Sequence, residues 1–212
     1  MQTVILLMAG SGTRLGLDIN KMMYKVNNKR LYQYPLEKFL SLGLDVILVT
    51  NETDYNTVLE ETKGIKNLIV VKGGKTRNES VKNALVHVKT KRVMIHDAAR
   101  VLVSEQIIKD CLNNNSDLYY VCIPLKDTIR TSNNKTLNRS ELLSVQTPQG
   151  GLTELFLKYN DLSTTDDISS FENLDYKIDK INGSDYNFKL TTKFDLEILK
   201  NIILGGQYDS YR

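Results

Sequence analysis

Apolar residues along this chain fall into two alternating kinds of segment. Short unbroken runs occur at Thr3-Val4-Ile5-Leu6-Leu7-Met8, Val46-Ile47-Leu48-Val49-Thr50, Leu68-Ile69-Val70-Val71 and Val93-Met94-Ile95-His96-Asp97. Without polar alternation, such runs suit parallel strands buried on both faces. Between them apolar residues return at helical spacing. The spacing predicts one helix over Leu31 to Leu42, with Pro35 near the first turn and Gly43 closing it, and a short one over Asn51 to Glu61. A third runs from Asn78 to Val88 with Asn78 as its cap, a fourth from Gln106 to Leu112, and Thr191-Thr192 with Asp195 begin the last by capping. The series is βαβα. It predicts an α/β fold: a mostly parallel, Rossmann-like sheet with helices on both faces and ligands beyond the carboxyl ends of the strands.

One stretch breaks the rhythm. Thr131 to Asn138 is polar and turn-rich, flanked by Tyr119-Tyr120-Val121-Cys122-Ile123 and Leu142-Leu143-Ser144-Val145. This reads as a β-arm at about 127–149 projecting from the sheet, and its unsatisfied edges invite a partner.

Composition narrows the class. With 212 residues and 41% hydrophobic content the chain can bury a substantial core, and a single domain over 1–212 is favoured. Lys and Arg total 28 against 25 acids; a net charge of +3, with its cations scattered, argues against nucleic acid as partner and for a small anion. Cys111 and Cys122 match no metal or redox spacing, and their apolar contexts suit buried thiols in a reducing cytoplasm. The N-terminus lacks a signal peptide's basic region and cleavage site, and no apolar stretch approaches the ~20 residues that span a bilayer. A soluble, cytoplasmic protein is expected.

The candidate chemistry sits at strand ends. The first run breaks into Ala9-Gly10-Ser11-Gly12-Thr13-Arg14-Leu15-Gly16 and reaches Asn20-Lys21. Its glycines bring backbone N–H groups close to an anion, and Arg14 and Lys21 add two cations, so phosphate is the expected guest. The Walker loop is excluded because Leu17 follows Gly16. The dinucleotide fingerprint is excluded because Leu15 stands where its third glycine belongs. A second loop, Gly73-Gly74-Lys75-Thr76-Arg77-Asn78-Glu79-Ser80-Val81, offers a helix N-terminus, with Arg77 and Ser80 placed to address a base or ribose. A third, His96-Asp97-Ala98-Ala99-Arg100, gives Asp97 for a divalent cation or a hydroxyl and Arg100 for a second phosphate, or else an Asp97–Arg100 salt bridge. His96 is read as a core residue, and His87 is unassigned.

The Ala-Gly-x-Gly-x-Arg loop followed by a lysine resembles the signature of nucleotidyltransferases that join a sugar or polyol phosphate to a nucleoside triphosphate. With Gly-Gly-x-x-Arg-x-x-Ser-Val and His-Asp-Ala-Ala-Arg in the same order, the chain resembles the 2-C-methyl-D-erythritol 4-phosphate cytidylyltransferases. Pro124-Leu125-Lys126-Asp127-Thr128-Ile129-Arg130, Arg139-Ser140-Glu141-Leu142, Gln146-Thr147-Pro148-Gln149, Thr165-Asp166-Asp167 and Asn187-Phe188-Lys189-Leu190-Thr191-Thr192 extend the match over nearly the whole chain. The resemblance implies CTP bound by Ala9, Gly10, Ser11, Gly12, Thr13, Gly74, Arg77 and Ser80, with Arg14, Lys21 and Lys189 catalytic. It implies a polyol phosphate held by Asp97, Arg100, Thr128, Thr165 and Lys189, Mg²⁺ at Asp97, and a homodimer in which the arm completes the neighbouring subunit's site.

The chain also departs from the family pattern. Asn20 stands where a proline usually precedes the lysine, with some loss of loop rigidity expected. Val101 replaces a proline, and Gly150-Gly151 follows Thr-Pro-Gln where many members carry an arginine nearby. Ribitol-5-phosphate cytidylyltransferases also differ there, and remain the alternative beside other polyol- or sugar-phosphate nucleotidyltransferases. Ala99 favours methylerythritol phosphate, because the ribitol enzymes more often carry valine at that place.

Overall fold

The computed structural model describes residues 2–10, 19–159, 164 and 166–208. In chain order, β1 (Gln2–Leu7) is followed by a small hairpin, β2 (Lys25–Val26) and β3 (Lys29–Arg30), then α1 (Gln33–Ser41), β4 (Asp45–Thr50) and α2 (Tyr55–Glu61). Next come β5 (Leu68–Lys72), α3 (Arg77–Leu85), β6 (Arg92–Asp97), α4 (Glu105–Asn113) and β7 (Leu118–Pro124). The rest is β8 (Leu143–Leu152), α5 (Thr153–Tyr159), β9 (Ile178–Asn182) and α6 (Lys193–Leu204). Seven strands form one sheet in the order β5-β4-β1-β6-β8-β7-β9. All its pairings are parallel except those of β8, which runs against β6 and β7.

The unbroken apolar strands make sense in that sheet. Val4 and Leu6 of β1 pack on one face with Leu36 and Phe39 of α1, Ile108 of α4 and Leu199 of α6. Ile5 and Leu7, pointing the other way, pack with Val81 and Leu85 of α3 and Phe156 of α5. A central strand covered on both sides has no polar face to show. Cys111 and Cys122 are both buried and free. Among the described residues no helix is long and apolar enough to cross a membrane.

Several boundaries differ from expectation. The helix expected from Asn51 starts at Tyr55, because the Asn51 side chain accepts the Asp54 N–H at 2.8 Å and spends these residues on a turn. The arm is shorter than 127–149: Leu143 onward already belongs to β8 within the sheet. Beyond β7 and β8 its pairing is a single bridge, Arg130 to Thr136, closed over a turn in which the Thr131 N–H donates to Lys135 at 2.8 Å. The helix α5 and strand β9 were not anticipated from the sequence.

Gly150 and Gly151 are explained by packing. A Cβ on Gly150 would stand 2.3 Å from the Val93 carbonyl oxygen and 2.6 Å from the Tyr119 hydroxyl. Gly151 has φ +153, and a Cβ there would meet the Asp117 carbonyl at 2.1 Å. No arginine side chain fits at either position.

Candidate active site

The site is assembled from loops that leave the carboxyl ends of β1, β5 and β6, as the topology requires. The loop after β1 starts anchored, since the Met8 N–H donates to Val49 at 2.8 Å. Ala9 and Gly10 follow; Ser11, Gly12, Thr13 and Arg14, like Thr165, lie outside the described residues. Lys21 opens a 3-10 turn, Lys21–Met23, whose cap is Asn20. The Asn20 side chain accepts from the Met22 N–H at 3.0 Å and donates to the Met8 carbonyl at 3.0 Å and to Asp54 Oδ2 at 2.8 Å. The expected loss of rigidity is therefore not found. Three side-chain hydrogen bonds on a buried residue hold the turn, and Lys21 Nζ reaches across to donate to the Leu190 carbonyl at 2.8 Å.

The second loop is shaped by its own helix start. Thr76, not Asn78, caps α3: its hydroxyl accepts from the Glu79 N–H while the Glu79 carboxylate accepts from the Thr76 N–H, a reciprocal capping box. Asn78 is spent elsewhere, its amide donating to the Thr164 carbonyl at 2.7 Å. The Ser80 hydroxyl accepts from the Gly74 N–H at 3.0 Å and donates to the Thr76 carbonyl at 2.8 Å, so this buried serine holds the loop in shape. A Cβ on Gly74 would lie 2.3 Å from that of Glu79, so only glycine fits there.

Arg77 is bound by two acids. Its Nη1 and Nη2 donate to Asp167 Oδ1 and Oδ2 at 2.7 Å each, and its Nε donates to Asp97 Oδ1 at 3.1 Å. Asp97 Oδ2 accepts from Lys189 Nζ at 2.6 Å. Burial works to raise the Asp97 carboxyl, but the charges of Arg77 and then Lys189 outweigh it and hold it well below the usual carboxylate range. Burial pushes the Asp167 carboxyl up, with Arg77 pulling against it. The Asp97 N–H donates to Thr147 Oγ1 at 3.1 Å, and Thr147 Oγ1 lies 3.1 Å from His96 Nδ1. His96 is fully buried against Phe39 and is a core residue, as expected; burial pushes its imidazole down to about 3.

A cleft of ≈ 400 Å³ brings together Ala9, Gly10, Lys21, Gly74, Arg77, Ser80, Asp97 and Lys189. Among the described residues, two sequence-chosen ones are not part of its walls. Arg100 turns its guanidinium to the carbonyls of Asn187, at 2.7 Å, and Val145, at 3.4 Å, and the alternative Asp97–Arg100 bridge gives way to the pairs with Arg77 and Lys189. Thr128 is exposed on the arm. Lys126, on the same arm, pairs with Asp185, and Arg139 donates to the Lys126 carbonyl. Thr76, Lys75 and Thr191 also line the cleft without having been singled out as ligand residues. Asp167 belongs to the Thr165-Asp166-Asp167 segment and bears no motif of its own. Its one sequence signal is a second acid beside Asp166, and nothing local says that it meets an arginine 90 positions away.

The electrostatics suit an anionic ligand with a hydroxyl-bearing tail. Lys21 and Lys189 face the cleft together with Asp97, the one carboxylate among the described residues that line it, and Gly10 and Gly74 carry no Cβ to cover the backbone there.

The sequence model of the 2-C-methyl-D-erythritol 4-phosphate cytidylyltransferase family matches residues 2–205. A protein of that name from Thermotoga neapolitana is 32% identical over 214 residues, which span 95% of this chain and 96% of that protein. One from Clostridium tetani is 35% identical over 212 residues, covering 91% and 86%. The crystal structure of 4-diphosphocytidyl-2C-methyl-D-erythritol synthase from Anaerococcus prevotii covers 97% of this chain and 98% of its own, with a TM-score of 0.82 at 24% identity, a likeness of fold.

Proposed function

Because the chain belongs to the 2-C-methyl-D-erythritol 4-phosphate cytidylyltransferase family, we propose that it transfers CMP from CTP to 2-C-methyl-D-erythritol 4-phosphate, giving CDP-methylerythritol and pyrophosphate. The observation that carries this reading is the convergence of Lys21, Arg77, Asp97 and Lys189 on one cleft beyond the strand ends.

In this reading a phosphate oxygen of the acceptor attacks the α-phosphorus of CTP. A new P–O bond forms as the bond to the β-phosphate bridging oxygen breaks, and pyrophosphate leaves in line. The attacking oxygen is ionised at neutral pH, so no general base is needed. What the protein must supply is alignment of two anions that repel each other, and stabilisation of the charge that builds during exchange. Lys21 and Arg14 take the triphosphate, with the amides of the first loop around it. Ala9 and Gly10 open that loop, and Gly74, Arg77 and Ser80 form the nucleotide's other wall. Lys189 takes the acceptor phosphate and Asp97 an acceptor hydroxyl.

Asp97 is the residue that would take a cation here, sharing its oxygens with Arg77 and Lys189. Among the described residues no group of three His, Cys, Asp or Glu side chains stands together to hold a metal unaided. Mg²⁺ is commonly bound through one or two carboxylates plus substrate phosphates, and Asp97 offers one such carboxylate, kept ionised by its neighbours. Bound there, Mg²⁺ supplies charge neutralisation on the phosphate oxygens.

The rest of the assignment follows the same reading. Residues 1–212 form one nucleotidyltransferase domain acting in the cytoplasm. Two copies pair through the arm, so that the exposed Thr128 serves the partner's acceptor site. Arg100, half-buried and holding the Asn187 and Val145 carbonyls near the arm's root, then supports that junction. The test is a panel of four nucleoside triphosphates against methylerythritol phosphate, ribitol 5-phosphate and other polyol phosphates, read by pyrophosphate release. Release with CTP and methylerythritol phosphate alone is expected. A preference for ribitol 5-phosphate would move the enzyme to the related cell-wall chemistry, and the absence of release with every pair would overturn the activity.

A further inference from the structure

Four charged side chains form a line through the wall of the cleft: Lys189, Asp97, Arg77 and Asp167. Three of them line the cleft, whereas Asp167 stands behind Arg77 with its side chain 4% exposed. It has no access to a substrate from there. Its effect must pass through Arg77.

We propose that Asp167 is a positioning residue, gripping Arg77 so that Asp97 is held facing Lys189 and the acceptor. The inference rests on the functional reading above and assigns it a residue that touches neither substrate. A guanidinium is a rigid plane of five N–H donors, and a carboxylate prefers to meet two of them at once. Asp167 takes the Nη1 and Nη2 edge at 2.7 Å on both oxygens, which leaves the Nε side of the plane for Asp97 Oδ1 at 3.1 Å. With only one contact to Arg77, Asp97 keeps its other oxygen for Lys189 at 2.6 Å. Asp167 is itself fixed: its N–H donates to Gln149 Oε1 at 2.9 Å, and Gln149 sits in β8 beside β6, which carries Asp97. Remove the grip, and Arg77 is free to turn its fork onto Asp97 and draw it away from Lys189.

The experiment compares wild type, Asp167→Asn, Asp167→Glu and Arg77→Lys, together with the Arg77→Lys/Asp167→Asn double variant. Asp167→Asn should lower kcat/KM for the acceptor by about tenfold or more and, because Arg77 also walls the nucleotide side of the cleft, raise the KM for CTP by a smaller factor. Asp167→Glu, which restores the charge, should recover much of that loss. In the Arg77→Lys background, which has no fork to grip, Asp167→Asn should cost no more than about twofold further. Full acceptor kcat/KM in Asp167→Asn, or an equal loss in both backgrounds, overturns the proposal. Should Asp167→Asn fail to fold, Asp167→Glu in the wild-type and Arg77→Lys backgrounds decides: the small loss of acceptor kcat/KM it leaves in the wild-type background should disappear where there is no fork to grip, and an equal loss in both backgrounds overturns the proposal. An arm independent of activity separates this inference from the reading it rests on. In ¹⁵N side-chain spectra the two Nη groups of Arg77 should give separate signals in wild type and merge in Asp167→Asn. Separate signals in an enzyme that releases no pyrophosphate would leave Asp167 gripping Arg77 while the assigned reaction fails; merged signals in wild type sink the inference whatever the activity.

Discussion

The Asn20 side-chain amide donates to Asp54 Oδ2 at 2.8 Å, tying the turn that carries Lys21 to the start of α2. The same amide donates to the Met8 carbonyl at 3.0 Å, and the Asn20 oxygen caps the Met22 N–H at 3.0 Å, so one side chain joins the first loop, the second βα connection and the lysine turn. Asn20→Ala deletes all three bonds. It should cost about 1–2 kcal/mol of stability, in the range of a lost cap, and lower kcat about tenfold through a wandering Lys21. Asn20→Asp should be worse, because it puts a carboxylate against Asp54 and a carbonyl with no donor to offer either. Asn20→Pro should fall between wild type and alanine: the native φ of −55 suits the ring, but the side-chain bonds are gone. Melting curves and kcat at saturating CTP rank the series, and an alanine variant with wild-type turnover would remove Asn20 from the argument.

Lys21 itself should behave differently. Its turn is held by Asn20, so truncating the lysine leaves the fold intact while removing a charge from the cleft. An aligned charge of this kind is worth on the order of 3 kcal/mol or more of barrier, so Lys21→Ala should lose at least about two orders of magnitude in kcat. Its melting temperature should stay close to wild type. Near-normal turnover in that variant would contradict the assigned role.

How much of this was legible in the sequence depends on whether a signal is local. Buried parallel strands announce themselves as unbroken apolar runs, and β1, β4, β5 and β6 stand within a residue or two of where those runs predict them. Thr192 and Asp195 form the expected cap of α6, because a capping box is contained in four residues. The cap of α3 was misplaced onto Asn78, since Thr76 and Asn78 are both competent and the winner is set by Glu79 pairing back to Thr76. The site residues came from motifs, and the cleft gathers the described ones at strand ends apart from Arg100 and Thr128. What no motif gave is the far partner. Asn20 to Asp54, Arg77 to Asp167 and Asp97 to Lys189 are contacts over 34, 90 and 92 positions that exist only once the sheet is assembled.

The buried histidine sets a pH window. The Arg100 carbonyl, 3.3 Å from His96 Nε2, can only accept, so in the neutral ring Nε2 carries the hydrogen and Nδ1 accepts from the Thr147 hydroxyl, which in turn accepts the Asp97 N–H. Burial favours this neutral form, taking the imidazole from its ordinary value near 6.5 down to about 3 in the folded chain. The unfolded chain therefore binds a proton that the folded chain refuses. Stability from this residue is complete above about pH 6.5 and erodes as pH falls toward 3, with a slope of at most about 1.4 kcal/mol per pH unit. Asp97, shifted down, loses its contribution only as pH falls below the ordinary carboxylate range, whereas Asp167, shifted up by burial, acts in the opposite sense just above it, so the His96 part is read as the difference between wild type and a His96 variant. Urea unfolding at pH 7, 6 and 5 should show this slope in wild type and a slope shallower by about one proton in His96→Asn. Equal slopes would mean that His96 is protonated in the fold.

Gly150 tests the account of the missing arginine. Its strand lies between β6 and β7, and a methyl group there meets the Val93 carbonyl and the buried Tyr119 hydroxyl head on. Gly150→Ala should cost about 1–3 kcal/mol, a fall of several degrees in melting temperature for a chain of this size. An unchanged melting temperature would show that β8 has room, and that the glycine needs another explanation.

The shared site is the last expectation, and it follows from where Thr128 stands. Exposed on the arm and absent from the walls of its own cleft, Thr128 reaches an acceptor only if the arm meets a second copy. Thr128→Glu places a carboxylate where an anionic acceptor should dock, and because the position is exposed the fold should tolerate it. Lys21→Ala damages the other half of the site. If each site takes Lys21 from one subunit and Thr128 from its neighbour, a mixed dimer of the two variants carries one doubly damaged site and one intact site. Random exchange of subunits then returns about a quarter of wild-type activity from two nearly dead preparations. Activity that stays at the level of the separate variants after exchange, or sedimentation of the wild type as a monomer at micromolar concentration, would place Thr128 outside the reaction and leave the cleft to work with the residues of one chain.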